Sequence, residues 1–258
     1  MQNGLANNRR IVDSISGGEC VLLRNYWGRK IMKTSLLNLF LLLLLGLPVF
    51  AQAPGGTDTD TQRALHSYSS GRNLERRNLI NEAEYFYTDA IRLCNAEISR
   101  NAATRDTYTV LTWTLQRQKK YEDVITWGER GLRLYADEYR IVETMGEAYF
   151  YLGDYDRSMR FMQRYANSVP QGERTSVAYF FIGEIYRYRK QFRHADIAYT
   201  TAVKLEPGLA LWWFRLGTVR EAAGDFHQAI EAYERAVKIN PNYREADDGL
   251  NRSRKQVS

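Results

Sequence analysis

A spacing of 34 residues recurs in the second half of this chain of 258 residues. The last two prolines and the last two glycines of the series are each 34 residues apart, and the preceding intervals are both 37 residues. These landmarks are Pro170, Pro207 and Pro241, and Gly146, Gly183 and Gly217. One insertion of three residues, between Pro170 and Gly183, explains both longer intervals. A repeat of this length indicates stacked supersecondary units, which bury their apolar faces only against their neighbours.

The repeated unit carries the same residue types at the same positions when Ala210 is taken as position 1. Large residues, mostly apolar, stand at positions 4, 7, 11 and 24, and small residues stand mainly at positions 8, 20 and 27, with Pro at position 32. Small residues let helix backbones approach closely, and large apolar residues fill the space between helices. Proline ends the second helix of each unit. The recurring small residues and prolines are Gly146, Gly183, Gly217, Ala195, Ala202, Ala229, Ala236, Pro170, Pro207 and Pro241.

These residues resemble the tetratricopeptide repeat family. The similarity rests on the large residue at position 4, the Leu-Gly-like pair, Tyr at 11, Ala at 20, an aromatic at 24, Ala at 27 and Pro at 32. Arg220 departs from it at position 11 and Tyr165 at position 27. The resemblance implies an all-α fold, an α-solenoid in which helix-turn-helix units form a right-handed superhelix. The array is expected over residues 64–243, in units near 64–97, 105–138, 139–172, 176–209 and 210–243.

The C-terminal residues 244–258 are predicted to form a capping helix and a tail. Leu250 would face the stack, while the outer side of this helix is charged. A solenoid needs a terminal helix with a polar outer face to remain soluble.

Residues 32–51 look like a secretory signal peptide, with Lys33 near the start, an apolar block around residues 41–45 and small residues at the end. Cleavage is expected after Ala51 or Ala53. The segment is short for a membrane-spanning helix, which needs about 20 apolar residues. An uncleaved membrane anchor is the alternative, and it would be the chain's one membrane contact.

Residues 1–31 are polar and lack a helical or strand period. We interpret them as an upstream extension in front of the true start at Met32. Residues 52–63 contain turn formers and no apolar period, which predicts a flexible linker.

Removing residues 1–51 leaves 30 basic and 28 acidic residues, a net charge of +2. A nearly neutral chain gives no electrostatic case for nucleic acid, whose binders are usually strongly basic on one face. Cys94 is then the only cysteine, so an internal disulfide is excluded. It is expected to be a partly buried residue near a helix end, with a reactive or intermolecular thiol as the alternative.

The resemblance implies that positions 2, 5, 9, 12 and 13 of each first helix line a concave groove. Aromatic residues and arginine, which contribute most of the binding energy at protein interfaces, are dense at these positions. The predicted groove residues are Trp113, Arg117, Arg140, Phe150, Tyr151, Phe180, Glu184, Arg187, Tyr188 and Phe214. Because arginine alternates with glutamate there, the groove suits an extended peptide or a partner helix better than a free C-terminal carboxylate.

No catalytic or metal-binding pattern accompanies the repeat. The three His residues are scattered, and HExxH, GxSxG and GxxxxGK[ST] are absent from the sequence. We therefore expect a non-enzymatic scaffold with no cofactor and no metal, which binds a protein or peptide.

The predicted location is the periplasm or cell envelope of a bacterium, with a role in envelope complex assembly. Two alternatives remain open: an accessory factor that binds envelope glycan or peptidoglycan, and a self-associating structural component. The oligomeric state is left undetermined.

Overall fold

The computed structural model describes residues 59–258. The predicted upstream extension, the signal segment and most of the predicted linker lie outside the described residues. Within 59–258 the chain forms eleven α-helices and no β-strand. The helices are α1 (Asp60–Arg76), α2 (Ile80–Ser99), α3 (Arg105–Arg117), α4 (Tyr121–Leu134), α5 (Tyr139–Tyr151), α6 (Tyr155–Ser168), α7 (Thr175–Tyr188), α8 (Phe192–Leu205), α9 (Ala210–Ala222), α10 (Phe226–Ile239) and α11 (Arg244–Arg254).

The helices form pairs that stack in chain order. Each helix from α1 to α10 packs against the next, and the first helices of neighbouring units also contact each other in the pairs α1 with α3, α3 with α5, α5 with α7, and α9 with α11. No second helix has a comparable contact with the second helix of the next described unit. Helices α7 and α9 meet through the stacked rings of Phe180 and Trp212, so the first helices form one continuous layer. The prediction of an all-α solenoid is confirmed.

The turn inside each unit has the same backbone conformation. Position 15 is left-handed in all five units, with positive φ at Asn78, Lys119, Gly153, Lys190 and Gly224. Glycine adopts this conformation without the steric cost that a side chain brings. The geometry of the helix pair, rather than the presence of glycine, therefore imposes the left-handed conformation, because two units adopt it with lysine.

Small residues at position 8 make room for an aromatic ring at position 24. A Cβ atom on Gly183 would lie 2.6 Å from Cδ1 of Tyr199, and one on Gly217 would lie 2.7 Å from Cδ1 of Tyr233. The ring of Tyr233 is also covered by Gly249 of α11, where a Cβ atom would lie 2.5 Å from its Cζ. The glycines therefore allow helix contacts that alanine would obstruct.

The remaining repeat landmarks lie where the packing of the units requires them. A Cβ atom on Gly146 would lie 3.0 Å from Cε of Met162. The prolines are exposed and follow the last residues of α6, α8 and α10. The alanines of the repeat are fully buried. The prolines are Pro170, Pro207 and Pro241, and the alanines are Ala195, Ala202, Ala229 and Ala236.

The start of the array differs from the prediction. Helix α1 begins at Asp60, so the last residues of the predicted linker 52–63 are helical. The buried carboxylate of Glu97 accepts a hydrogen bond from the backbone N–H of Thr61 at 2.9 Å and one from the hydroxyl of Thr107 at 2.8 Å. A carboxylate at a helix N-terminus satisfies an unpaired amide and favours the helix dipole. This long-range contact has no local signal in the sequence.

Cys94 is fully buried in α2 rather than partly buried. Burial, followed by the nearby carboxylate of Glu97, raises the pKa of this thiol to about 12. The thiol is therefore protonated at neutral pH, and a thiolate is the reactive form of cysteine. The alternative of a reactive thiol gains no support.

None of the helices within residues 59–258 is long and apolar enough to span a membrane.

Candidate functional site

The layer of first helices presents the residues that the repeat assigns to the concave face. Of the ten predicted groove residues, one is exposed, six are half-buried and three are buried. The exposed residue is Arg140, and the half-buried ones are Trp113, Arg117, Tyr151, Arg187, Tyr188 and Phe214. These seven residues, here called the accessible concave set, are the ones that a partner could contact.

The prediction was wrong for Phe150, Phe180 and Glu184 as contact residues. Their exposed fractions are 1%, 0% and 0%. The ring of Phe150 packs edge-on against Phe181 with centroids 5.0 Å apart, and the ring of Phe180 stacks on Trp212 at 5.1 Å. These rings fill the space between α5, α7 and α9, because a buried aromatic side chain gains far more from close packing than from exposure.

Stacked tyrosine pairs join two of the half-buried aromatic residues to the preceding helix. Tyr151 stacks on Tyr121 with ring centroids 4.9 Å apart, and Tyr188 stacks on Tyr155 at 5.1 Å with an interplanar angle of 13°. The guanidinium of Arg187 lies 4.5 Å from the ring centroid of Tyr188. One face of each ring is thus already occupied by another ring.

The arginines of the accessible concave set are paired with carboxylates. Arg117 binds Glu75 with an Nη2 to Oε1 distance of 2.5 Å, and Arg187 binds Glu184 at 2.7 Å. Arg140 binds both Glu138, at 2.6 Å, and Asp106, at 2.7 Å. These pairs neutralise the concave face locally and hold the long arginine side chains in place.

A tyrosine, a glutamate and an arginine form the same triad at three places in the array. In each, the position-24 tyrosine of the second helix donates its hydroxyl to a glutamate of the first helix. That glutamate also binds an arginine from the next unit. The triads are Tyr87–Glu75–Arg117, Tyr199–Glu184–Arg215 and Tyr233–Glu221–Arg252. Each triad joins three successive helices.

Glu184 is the most buried carboxylate of these triads. Burial alone would raise its pKa, but the charges of Arg215 and Arg187 outweigh that effect, so the pKa of Glu184 lies below its usual value. Nε of Arg215 lies 3.1 Å from Oε1 of Glu184. Glu184 is therefore ionised at neutral pH and interacts with two guanidinium groups.

Glu147 occupies the same repeat position, 9, as Glu184, but its cation has a different origin. Arg215, which binds Glu184, stands at position 6 of the next unit, and the residue at that position opposite Glu147 is Phe181. Arg174 contacts Glu147 instead. Arg174 lies between α6 and α7, in the stretch that carries the three extra residues. The inserted segment thus supplies a cation for Glu147, because Phe181 at position 6 of the next unit carries no charge.

Sequence reasoning missed three arginines that balance glutamates of the first helices, Arg174, Arg215 and Arg252. Arg215 stands at position 6, which the resemblance does not assign to the groove, and Arg252 lies in α11, beyond the last predicted unit. The change of period at the insertion was the available signal for Arg174, because it marks the one connection that differs from the others.

Within residues 59–258, no group of three His, Cys, Asp or Glu side chains could hold a metal ion. Of the histidines there, His194 lies on the surface with its ring 5.1 Å from that of Tyr186. The chemistry of this region is that of ion pairs and aromatic packing.

Sequence profiles of the tetratricopeptide repeat match three segments, residues 144–172, 176–208 and 210–243. These segments are tetratricopeptide repeats, and the stacked pairs in the structure agree with that assignment. No curated protein matches the chain in sequence.

Solved structures share the fold at low sequence identity. The MamA RS-1 ArsTM double mutant is 15% identical with a TM-score of 0.56, and the comparison covers 70% of this chain and 97% of that one. MamA AMB-1 is 16% identical with a TM-score of 0.52, covering 70% and 93%. The APC/C hetero-tetramer Cut9-Hcn1 is 15% identical with a TM-score of 0.53, covering 74% and 42%. The chain is similar to these proteins in fold.

Proposed function

We propose that this chain is an exported, non-enzymatic scaffold that binds a protein or peptide partner on its concave face and assembles a complex of the cell envelope. The observation that supports binding most directly is the accessible concave set. It places aromatic rings and guanidinium groups side by side on the layer formed by α3, α5, α7 and α9. Tryptophan, tyrosine and arginine are the residues most enriched in binding hot spots.

The arrangement favours an extended or helical segment with both polar and apolar side chains. Arg117, Arg140 and Arg187 each have a carboxylate partner within the chain. A bound free carboxylate would have to compete with these partners. Backbone and mixed side-chain contacts along the layer of first helices need no such exchange.

Photocrosslinking tests the docking surface. A photoreactive phenylalanine analogue at Trp113 or Phe214, both half-buried on the concave side, is expected to capture one defined partner in cells. Phe180 is unsuitable because it is fully buried. Substituting Trp113→Ala or Phe214→Ala is expected to weaken binding of the captured partner about tenfold or more.

The matched control places the same analogue at Ile197, which is 67% exposed on α8. Its products should lack the partner captured from Trp113 and Phe214. Equal capture from Ile197, or capture from Ile197 alone, would show that the concave face is not the docking surface.

Export is proposed from the sequence of residues 32–51. The N-terminus of the protein isolated from cells is expected to begin at Gln52 or Pro54, and the protein should fractionate with the envelope. Replacing Leu43 by arginine interrupts the apolar block, so the variant should remain unprocessed in the cytoplasm. A wild-type protein that begins at Met1 or Met32 and stays in the cytoplasm would contradict export.

The alternative of glycan binding has less support. Sugars stack on open aromatic faces, whereas the rings of Tyr151 and Tyr188 already stack on Tyr121 and Tyr155. A protein segment can use the edges of these rings and the arginines beside them.

A further inference from the structure

Arg174 covers two glutamates of α5 from the inserted segment. Its Nε lies 2.8 Å from Oε1 of Glu143, and its Nη2 donates to Oε1 of Glu147. Glu143 and Glu147 are 2% and 5% exposed. They lie one helical turn apart, so both carboxyl groups face the same side of α5.

Both carboxyl groups contact the same guanidinium, so they lie side by side in one buried cluster. Two ionised carboxylates are both acceptors, so a hydrogen bond between them requires one proton. With that proton, Glu143 and Glu147 together carry one negative charge, which the guanidinium of Arg174 balances. Without it, the buried cluster carries an excess negative charge, which is costly away from water.

The environment favours the less charged form of each group in the cluster. Burial, and then the neighbouring carboxylate, raises the pKa of Glu143 well above its usual value, and burial raises the pKa of Glu147. Burial lowers the pKa of Arg174 to about 10. Other titratable or polar groups also interact with these three residues. They are Gln116 and Arg117 of α3, Tyr121 of α4, Tyr151 of α5, Tyr165 of α6, and Glu206 after α8.

Arg117, the nearest additional cation, already binds Glu75 at 2.5 Å. The nearby Glu184 is balanced by Arg187 and Arg215. The charge of Arg117 favours the ionised form of Glu147, but burial outweighs it and the pKa of Glu147 is raised. A shared proton therefore lowers the free-energy cost of burying Glu143 and Glu147 together, because it removes one of their two negative charges.

We propose that Glu143 and Glu147 share one proton beneath Arg174, and that loss of this proton as pH rises releases the inserted segment from the concave face. The closed state has Arg174 on both carboxyl groups. In the open state the segment lifts, and water reaches both carboxylates. This pH-dependent latch is independent of the partner proposed above.

The sign of the pH dependence follows from linkage. A carboxyl group whose pKa is higher in the closed state than in water binds its proton more tightly when closed. Low pH therefore favours the closed state. Between the open-state pKa and the higher closed-state pKa of this carboxyl group, rising pH favours the open state by up to about tenfold per pH unit.

Cleavage by trypsin after Arg174 in the full-length protein measures the opening. The rate is normalised to cleavage after Lys255, which is exposed in the same molecule. We expect the normalised rate for the wild type to rise about tenfold between pH 6.5 and pH 9. Circular dichroism at both pH values checks that the helices remain folded.

Two isosteric variants separate the shared proton from a merely structural contact. Glu143→Gln imitates the protonated carboxyl, so its normalised rate should stay low and independent of pH. Glu147→Gln leaves Glu143 as the single carboxylate that balances Arg174, so its rate should also stay low and independent of pH. A wild-type rate that stays constant or falls with rising pH would overturn the proposal. The same rise in Glu143→Gln as in the wild type would also overturn it.

Discussion

Replacing Glu184 by alanine is expected to lower the free energy of unfolding by about 3–5 kcal/mol. The carboxylate is fully buried, and it accepts hydrogen bonds from Arg187 at 2.7 Å and from the hydroxyl of Tyr199. Arg215 lies 3.1 Å away. Removing the Glu184 carboxylate leaves the guanidinium groups of Arg187 and Arg215 without a balancing charge, and both groups are largely shielded from water. Urea denaturation followed by circular dichroism measures the loss.

The control for this prediction is Glu234→Ala. Glu234 forms an exposed ion pair with Arg254 at 2.8 Å, and such surface pairs contribute about 0–1 kcal/mol. If Glu184→Ala cost no more than Glu234→Ala, the network around Glu184 would not stabilise the stack of α7, α8 and α9.

Replacing Gly183 by alanine is expected to destabilise the protein by about 1–3 kcal/mol. Alanine has the higher intrinsic helix propensity, by about 1 kcal/mol, so propensity alone predicts a gain in stability. The new Cβ atom would lie 2.6 Å from Cδ1 of Tyr199, a fully buried ring that cannot rotate away. The steric overlap outweighs the propensity because α7 and α8 must move apart.

Gly208→Ala is the matched control for the helix contact. Gly208 is exposed between α8 and α9, and a Cβ atom there would have no atom within 4 Å. Its substitution should change the free energy of unfolding by about 0.5 kcal/mol or less. A stabilised Gly183→Ala variant would mean that α7 and α8 are less closely packed than the structure shows.

The repeat period predicted much of the fold because each unit repeats one local pattern. The first residues of α3, α5 and α9 are Arg105, Tyr139 and Ala210, where the pattern places unit starts. Glycine and aspartate mark the turn after α5, where Gly153 has a φ of 81° and Asp154 accepts a hydrogen bond from the backbone N–H of Arg157. These signals are local, so a single sequence contains them.

The turn after α7 shows where the local pattern is insufficient. Lys190 adopts the same left-handed conformation as Gly153, although lysine gives no signal for it. The start of α1 is a second case, because Glu97 binds its first turn from 36 residues away in sequence. The start of α1 thus depends on a contact between distant segments, and the turn at Lys190 depends on the packing of the helix pair.

The candidate site was predictable only as a face of the helix layer. Periodicity assigned Trp113, Tyr188 and Phe214 to the inner face, and the structure shows that all three are half-buried. It could not distinguish them from Phe150 and Phe180, which follow the same period but are buried between helices.

The sequence by itself determined the helix pairs, their order and the residues that turn toward the inner layer, because a helix repeats its faces every 3.6 residues. Only the tertiary structure decided which of those side chains remain accessible and which cation balances each buried glutamate. Arg174 reaches Glu143 and Glu147 from a connecting segment, while Arg215 reaches Glu184 from the next helix. Burial and charge balance depend on how neighbouring units approach one another in space, and the period of one helix does not specify that approach.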